Sequence, residues 1–224
     1  MKFRFFTTLM SAAIFSCSVN AGVVIGGTRV IYPSDKREVS LQLSNKDKVA
    51  YLVQSWVDND DKGKAAFIVT PPLLRIEGGE SNTLRIVRMA STLPEDRETL
   101  QWLNIKSIPP STDDASQNIL QIAIKSRLKL IFRPKGLSGS TPEEVTDSLK
   151  WSRSGNLLNV KNPTAYYMNF SNIKVADKDL SEISFVPPFS SISLPLNTPV
   201  TGNTVTWSLI NDFGGTGPKH SATF

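Results

Sequence analysis

The chain has 224 residues, of which 40% are hydrophobic and 20% are charged. This balance is typical of a folded soluble protein and excludes an intrinsically disordered chain. The formal net charge is +5, but the sequence has no dense run of basic residues. A nucleic-acid-binding surface is therefore not indicated.

The first 21 residues have the features of a secretory signal peptide. Lys2 and Arg4 give a positive start, residues 5–15 are largely apolar, and residues 18–21 offer small side chains for cleavage after Ala21. The apolar run is too short to span a bilayer. Removal of the segment takes two cations away, so the formal charge falls from +5 to +3. We therefore expect a secreted protein.

Cys17 is the only cysteine of the chain. It leaves a lipoprotein as an alternative, but a lipidated cysteine needs small residues just before it, and the bulky Phe15 disfavours this. After cleavage at Ala21 the mature chain has no cysteine. Such a chain would occupy a compartment that permits disulfides without using any.

Beyond the signal segment, short runs with period two and many β-branched or aromatic residues alternate with turn residues. The runs are residues 39–43, 51–57, 82–89, 100–108, 157–160, 166–173, 192–196 and 204–210. Turn signals separate them at residues 44–45, 60–63, 77–79 and 197–199. No amphipathic helical stretch of convincing length is present. We predict an all-β fold of antiparallel sandwiches.

A linker is predicted at residues 133–144, which contain two prolines, two glycines and few large apolar groups. It divides the mature chain into domains at 22–140 and 141–224. Each has a suitable size for a seven-strand sandwich.

Residues 118–133 form an unusually long alternating run, since strands of five or six residues are typical. Its even positions carry Leu120, Ile122, Ile124, Leu128, Leu130 and Phe132, whereas most odd positions are polar or basic. One face of the predicted strand is therefore apolar and the other basic.

The two ends of this run favour different interpretations. From Leu128 onward, we expect the apolar row to lie in the core of the first domain. Residues 120–124 follow a polar loop at 111–117 and would begin a terminal strand at a sheet edge. Proteins normally protect such an apolar edge, because an exposed edge strand promotes aggregation. Its presence indicates a partner that pairs with it.

Nine short motifs follow one another in a specific order. They are TRVIYP at 28–33, YLVQSW at 51–56, FIVTPPL at 67–73, NTLRI at 82–86, LPEDRE at 93–98, IPP at 108–110, LKLIFRP at 128–134, NPTAYY at 162–167 and INDFGG at 210–215. In this order they resemble the periplasmic pilus (fimbrial) chaperones of the chaperone–usher pathway, over nearly the whole mature chain. The motif sequences are most similar to the type-1-pilus-like branch, which has a short loop before the long strand.

The resemblance implies two immunoglobulin-like β-sandwich domains in an L-shaped arrangement and a non-enzymatic role in the periplasm. Such chaperones bind, fold and cap pilus subunits, which are incomplete immunoglobulin-like domains, and deliver them to an outer-membrane usher. In donor-strand complementation the long strand fills the groove of the subunit. Carried over residue by residue, the groove-filling side chains are Leu120, Ile122, Ile124 and Leu128. Self-association of the free chain through this strand is left open.

Two further residue sets come from the resemblance. Arg29 and Lys129 match positions that hold the C-terminal carboxylate of the subunit between the two domains. A carboxylate favours charge-assisted donors, and a fixed anchor sets the register of an added strand. Glu98, Arg133 and Asp212 match an ion network between the domains. Because exposed ion pairs contribute little stability, we expect this network to orient the domains.

No catalytic or metal site is predicted, and no cofactor is expected. His220, the only histidine, lies near the end of the chain, and no residues have metal-ligand spacing. The alternative function is a secreted pilus subunit or another non-enzymatic immunoglobulin-like binding module. Subunits of that class usually have one incomplete domain and a disulfide, whereas this chain has two predicted domains and no mature cysteine.

Overall fold

The computed structural model describes residues 22–58, 65–89, 93–111, 120–180, 185–196 and 202–224. The predicted signal peptide with Cys17, the turn signals at 60–63 and 197–199, residues 112–117 of the polar loop and the first two residues of the predicted long strand lie outside this part. Within the described ranges, no helix is long and apolar enough to cross a membrane.

Nine strands of the described residues form the first sandwich. They are β1 (Val23–Ile25), β2 (Arg29–Pro33), β3 (Glu38–Asn45), β4 (Tyr51–Asp58), β5 (Phe67–Thr70), β6 (Leu73–Ile76), β7 (Ser81–Arg88), β8 (Thr99–Ile108) and β9 (Ile124–Arg133). One sheet has the order β1-β3-β7-β5 and the other β2-β9-β8-β4-β6. Alternate residues of the strands point inward, as the period of two requires. They bury a core in which the rings of Tyr32 and Phe67 lie 4.9 Å apart.

In the second sandwich the described ranges contain eight strands. They are β10 (Lys150–Ser154), β11 (Leu157–Lys161), β12 (Met168–Val175), β13 (Lys178–Asp179), β14 (Phe185–Val186), β15 (Ser191–Pro195), β16 (Thr204–Leu209) and β17 (His220–Thr223). One sheet has the order β10-β11-β15, and the other has β13-β12-β16-β17 with β14 paired to β12. Trp151 packs between Phe170 and Trp207 in a separate core. The predicted all-β fold with two sandwiches is confirmed.

The segment between the sandwiches contains a 3-10 turn (Lys135–Leu137), the one-turn helix α1 (Pro142–Val145) and a second 3-10 turn (Thr146–Ser148). The sequence analysis did not predict this helix, because a single turn is too short to show helical periodicity. Pro142 at its first turn is a favourable start, since an N–H is not needed there.

All eight predicted short strands are present, with bounds that agree within two residues. The expectation of purely antiparallel pairing is wrong at one place, because β2 pairs with β9 in parallel. The reason lies at the start of the chain, where β1 belongs to one sheet and β2 to the other. The crossing is close, and a Cβ on Gly26 would lie 3.0 Å from the carbonyl oxygen of Gln42.

Candidate functional site

The first half of β9 forms an open sheet edge. On one side β8 pairs with β9 from Ile124, opposite Ser107, to Phe132. On the other side β2 covers β9 only from Lys129 to Arg133. Among the described strands, none pairs with that second side between Ile124 and Leu128. Such an edge offers backbone N–H and C=O groups to an added strand.

A row of apolar side chains projects from this edge. Leu120 is 84% exposed, Ile122 64% and Ile124 62%. The prediction of a strand from residue 118 requires correction here, because β9 begins only at Ile124 and residues 120–123 are not in a strand. The physical reason is the lack of a neighbour, since β8 reaches its last pair with β9 at Ile124. A strand needs a partner for its backbone groups.

Leu128 does not belong to the exposed row, so its predicted groove-filling role is wrong. Its side chain is 5% exposed and packs in the first core together with Leu130 and Phe132. It cannot enter the groove of a partner without leaving that core. Ile124 has the same orientation but lies at the open end of the sandwich. There it lines, with Ile122 and β1, a cleft of about 210 Å³.

A pair of cations lies where the open edge ends. Arg29 and Lys129 are direct neighbours in the parallel register of β2 and β9. Arg29 Nη1 donates a hydrogen bond to the carbonyl oxygen of Ile210 at 3.1 Å. Lys129 Nζ donates to Asn169 Oδ1 and lies 4.3 Å from the ring centroid of Phe185. In the part of the chain that the structure describes, neither cation forms an ion pair.

The surroundings of the pair disfavour its two charges. Burial, and secondly the charge of Arg29, lower the pKa of Lys129 to about 8. Burial also lowers the pKa of Arg29, against the opposite effect of Asp212. Arg29 Nε is buried and has no hydrogen-bond partner. An unsatisfied buried donor costs about 1–3 kcal/mol, so this arrangement favours the entry of an anionic acceptor such as a carboxylate.

Glu98, Arg133 and Asp212 are brought together across the two sandwiches. Arg133 Nε donates to Glu98 Oε1 at 2.7 Å, and its two terminal nitrogens donate to Asp212 at 2.6 and 2.9 Å. Glu98 also accepts the backbone N–H of Tyr167 at 2.7 Å. Burial raises the pKa of Glu98, although the charge of Arg133 opposes this shift.

The Glu98–Arg133 pair differs from the exposed ion pair that the sequence analysis assumed. The side chain of Glu98 is 1% exposed and that of Arg133 is 9% exposed. Loss of one partner from a buried pair costs roughly 3–5 kcal/mol. Both residues belong to the first sandwich, and they contact the second through the bonds of Arg133 to Asp212 and of Glu98 to the N–H of Tyr167.

Sequence reasoning missed Asn169, Phe185 and Ile210, which all contact the cation pair. Asn169 lies within a predicted strand, where a single asparagine between Met168 and Phe170 gives little signal. In the structure all three residues 168–170 are buried: Met168 and Phe170 lie in the second core, and Asn169 faces Lys129 of the first sandwich. Only this contact between sandwiches shows the role of the asparagine.

Comparisons with known proteins agree with the geometry. The family model of the pili and flagellar-assembly chaperone PapD N-terminal domain matches residues 22–138, and that of the pili assembly chaperone PapD C-terminal domain matches residues 144–221. The probable fimbrial chaperone LpfB of Escherichia coli O157:H7 is 38% identical over 219 residues, which cover 96% of this chain and 94% of that relative.

Solved structures have the same architecture. A chain in the Salmonella enterica SafA pilin complex with the SafB chaperone matches with a TM-score of 0.85 and 39% identity, covering 91% of this chain and 96% of that chain. The crystal structure of the periplasmic chaperone SfaE matches with a TM-score of 0.77 and 37% identity, covering 91% and 100%. The chain therefore belongs to the family of pili assembly chaperones, as its sequence motifs indicated.

Proposed function

We propose that this chaperone binds incomplete pilus subunits in the periplasm by donor-strand complementation and delivers them to an outer-membrane usher. One observation carries the proposal: an open sheet edge with exposed apolar side chains leads directly to a pair of unneutralised cations. The relative SafB is known in complex with the SafA pilin. The chain acts by binding alone, without catalysis, after residues 1–21 have directed its secretion.

The positions of edge and cations determine the direction of the bound strand. Ile124 and Lys129 are five residues apart in β9, which is roughly 16 Å at about 3.3 Å per residue. If the C-terminal carboxylate of the subunit lies at Arg29 and Lys129, its last strand runs along the open edge parallel to β9. The opposite direction would put the carboxylate beyond Leu120. The added strand then pairs with the same side of β9 as β2 does, and lies before the residues of β9 that β2 covers.

The exposed row supplies the affinity. Pairing with a subunit extends β9 toward Leu120, so that Leu120, Ile122 and Ile124 point to one face and enter the open core of the subunit. Full burial of each side chain contributes about 1.5–3 kcal/mol. Association costs of roughly 4–15 kcal/mol offset much of this sum. The carboxylate anchor therefore matters for both register and affinity.

The alternative of a pilus subunit is less well supported. A subunit that lacks its last strand would leave its own core open along a groove. Here β9 lies between β2 and β8 and buries Leu130 and Phe132 completely. We assign the two domains to residues 22–140 and 141–224, each containing one of the two cores.

Co-expression with pilin subunits tests the proposal. The wild-type chain is expected to give soluble one-to-one complexes, and both Arg29→Ala and Lys129→Ala are expected to abolish them, since each removes a donor to the carboxylate. Lys161→Ala, which changes an exposed lysine of β11, is the matched control and should retain the complexes. Complexes that survive both anchor substitutions with unchanged affinity would contradict the anchor.

A further inference from the structure

Lys129 is held in its position by uncharged groups. Its neighbour on β2 is Arg29, a second cation, and its register partner on β8 is the neutral Trp102. The second sandwich presents the amide oxygen of Asn169 from β12 and the ring of Phe185 from β14. Among the described residues, therefore, Lys129 contacts a hydrogen-bond acceptor and a π face but no carboxylate.

Asn169 is connected to both cations. Its side-chain Nδ2 donates to the carbonyl oxygen of Tyr167 at 3.4 Å, which turns Oδ1 toward Lys129. Its backbone carbonyl accepts the N–H of Ile210 at 2.7 Å, and the carbonyl of Ile210 in turn accepts Arg29 Nη1. One buried residue, 4% exposed, thus contacts Lys129 directly and is linked to Arg29 through the backbone of one intermediate residue, Ile210.

The carboxylate whose charge acts on Arg29 is already engaged. Asp212, whose charge acts on Arg29, directs both of its oxygens to Arg133. It therefore does not neutralise the pair. A charged acceptor in place of Asn169 would form an ion pair with Lys129. An apolar side chain there would leave the buried ammonium without a hydrogen bond.

We propose that Asn169 is a positioning residue of the carboxylate anchor: its neutral amide oxygen keeps the Lys129 ammonium charged in the cleft and leaves that charge free for the terminal carboxylate of an incoming strand. The inference rests on the proposed function. It adds a residue from the second sandwich to a site whose cations both come from the first. It also explains why a buried lysine with an aromatic neighbour remains a useful cation.

A pH dependence of binding follows. Free Lys129, with a pKa of about 8, is protonated below that pH, and a bound carboxylate raises its pKa further. Affinity for a strand with a free C-terminal carboxylate is therefore constant from mildly acidic pH to about 8. It falls by about tenfold per pH unit above that value. A strand that ends in an amide lacks this dependence.

The test measures the pKa of Lys129 by NMR titration of its side chain in the full mature chain. Asn169→Leu removes the acceptor and is expected to lower this pKa by about one unit, whereas the nearly isosteric Asn169→Asp raises it by at least about one unit. Asn169→Ser, which keeps a neutral oxygen, should retain part of the wild-type value. Asn159→Leu is the control, because Asn159 accepts a hydrogen bond from Ser193 on the neighbouring strand β15 and lies in the sheet that does not contain Asn169.

The same variants are then titrated with a synthetic peptide of alternating valine and threonine that ends in a free carboxylate, and with its C-terminal amide. In Asn169→Leu the loss of affinity should begin at a lower pH, by the shift measured for Lys129. Asn169→Asp should weaken the carboxylate peptide at least about tenfold at neutral pH, because its own carboxylate competes. Binding of the amide peptide should remain unchanged.

Two outcomes separate this inference from the function on which it rests. A Lys129 pKa that is the same in wild type, Asn169→Leu and Asn169→Asp would overturn the positioning role and leave the anchor intact. If Lys129→Met instead binds the carboxylate and amide peptides as wild type does, the anchor itself is wrong. Circular dichroism verifies folding, and Asn169→Asp keeps the test decisive if the leucine variant does not fold.

Discussion

The two halves of the run from Leu120 to Phe132 have the same alternating sequence pattern and opposite environments. Ile122 and Ile124 are more than 60% exposed, whereas Leu128 is 5% exposed and Phe132 is fully buried. From Lys129 onward β2 covers the outer side of β9, whereas Leu128 and the residues before it have no described strand there. The place of each residue in the sandwich and the segments that cover it, rather than the pattern itself, therefore decide whether an apolar row becomes core or binding surface.

The sheet change at Gly26 and Gly27 produces this difference. Because β1 pairs with β3 and only β2 reaches β9, the first strand protects half of the last one. A single continuous first strand in the sheet of β9 would cover the open edge. The same crossing places Arg29 at the first covered position, opposite Lys129.

The largest effect is expected in the covered half. Phe132→Ala removes a ring that is fully buried, 6.4 Å from the ring of Phe67, and leaves a cavity between the sheets. We expect the free energy of unfolding to fall by about 3–5 kcal/mol. Leu120→Ala, at 84% exposure, should change it by less than about 0.5 kcal/mol. Denaturant unfolding of both variants measures the contrast, and equal losses would contradict it.

A smaller effect on stability, but a clear effect on binding, is expected in the open half. Ile122→Asp should leave the unfolding free energy within about 0.5 kcal/mol of wild type. It should weaken subunit capture at least about tenfold, since an apolar side chain no longer enters the groove. The control is the same substitution at another exposed isoleucine, Ile68→Asp. Ile68 lies on β5 in the other sheet and is 47% exposed. Global unfolding of the Ile122 variant, seen by circular dichroism, would place this residue in the core of its own chain.

The sequence predicted much of this fold, for physical reasons that can be named. Period-two alternation is a local property, so the longer strands and the all-β class were accessible from it. Two-residue strands such as β13 and β14 are too short to show a period. The parallel pairing of β2 with β9 depends on the crossing at Gly26, a contact between distant segments that no local pattern contains.

The candidate site was accessible only in part. Alternation could not distinguish Ile124 from Leu128, because both have the same orientation and the same strand partner, β8. They differ in their place in the sandwich, since Leu128 packs in the core and Ile124 lines the cleft at its open end. Arg29 and Lys129 came from the resemblance to pilus chaperones, since a lone cation on a strand is ordinarily a solvated charge. Asn169 gave no signal, because its contact with Lys129 forms only when the two sandwiches meet.

Hydrogen–deuterium exchange of the mature chain, free and in complex with a pilin subunit, tests the central claim most directly. We predict that backbone amides from residue 120 to Leu128 become strongly protected on binding, because the open edge gains a strand. Amides from Leu130 to Phe132, already covered on both sides, should change little. Unchanged exchange at residues 120–128 in a complex that forms would show that the subunit is held by another surface.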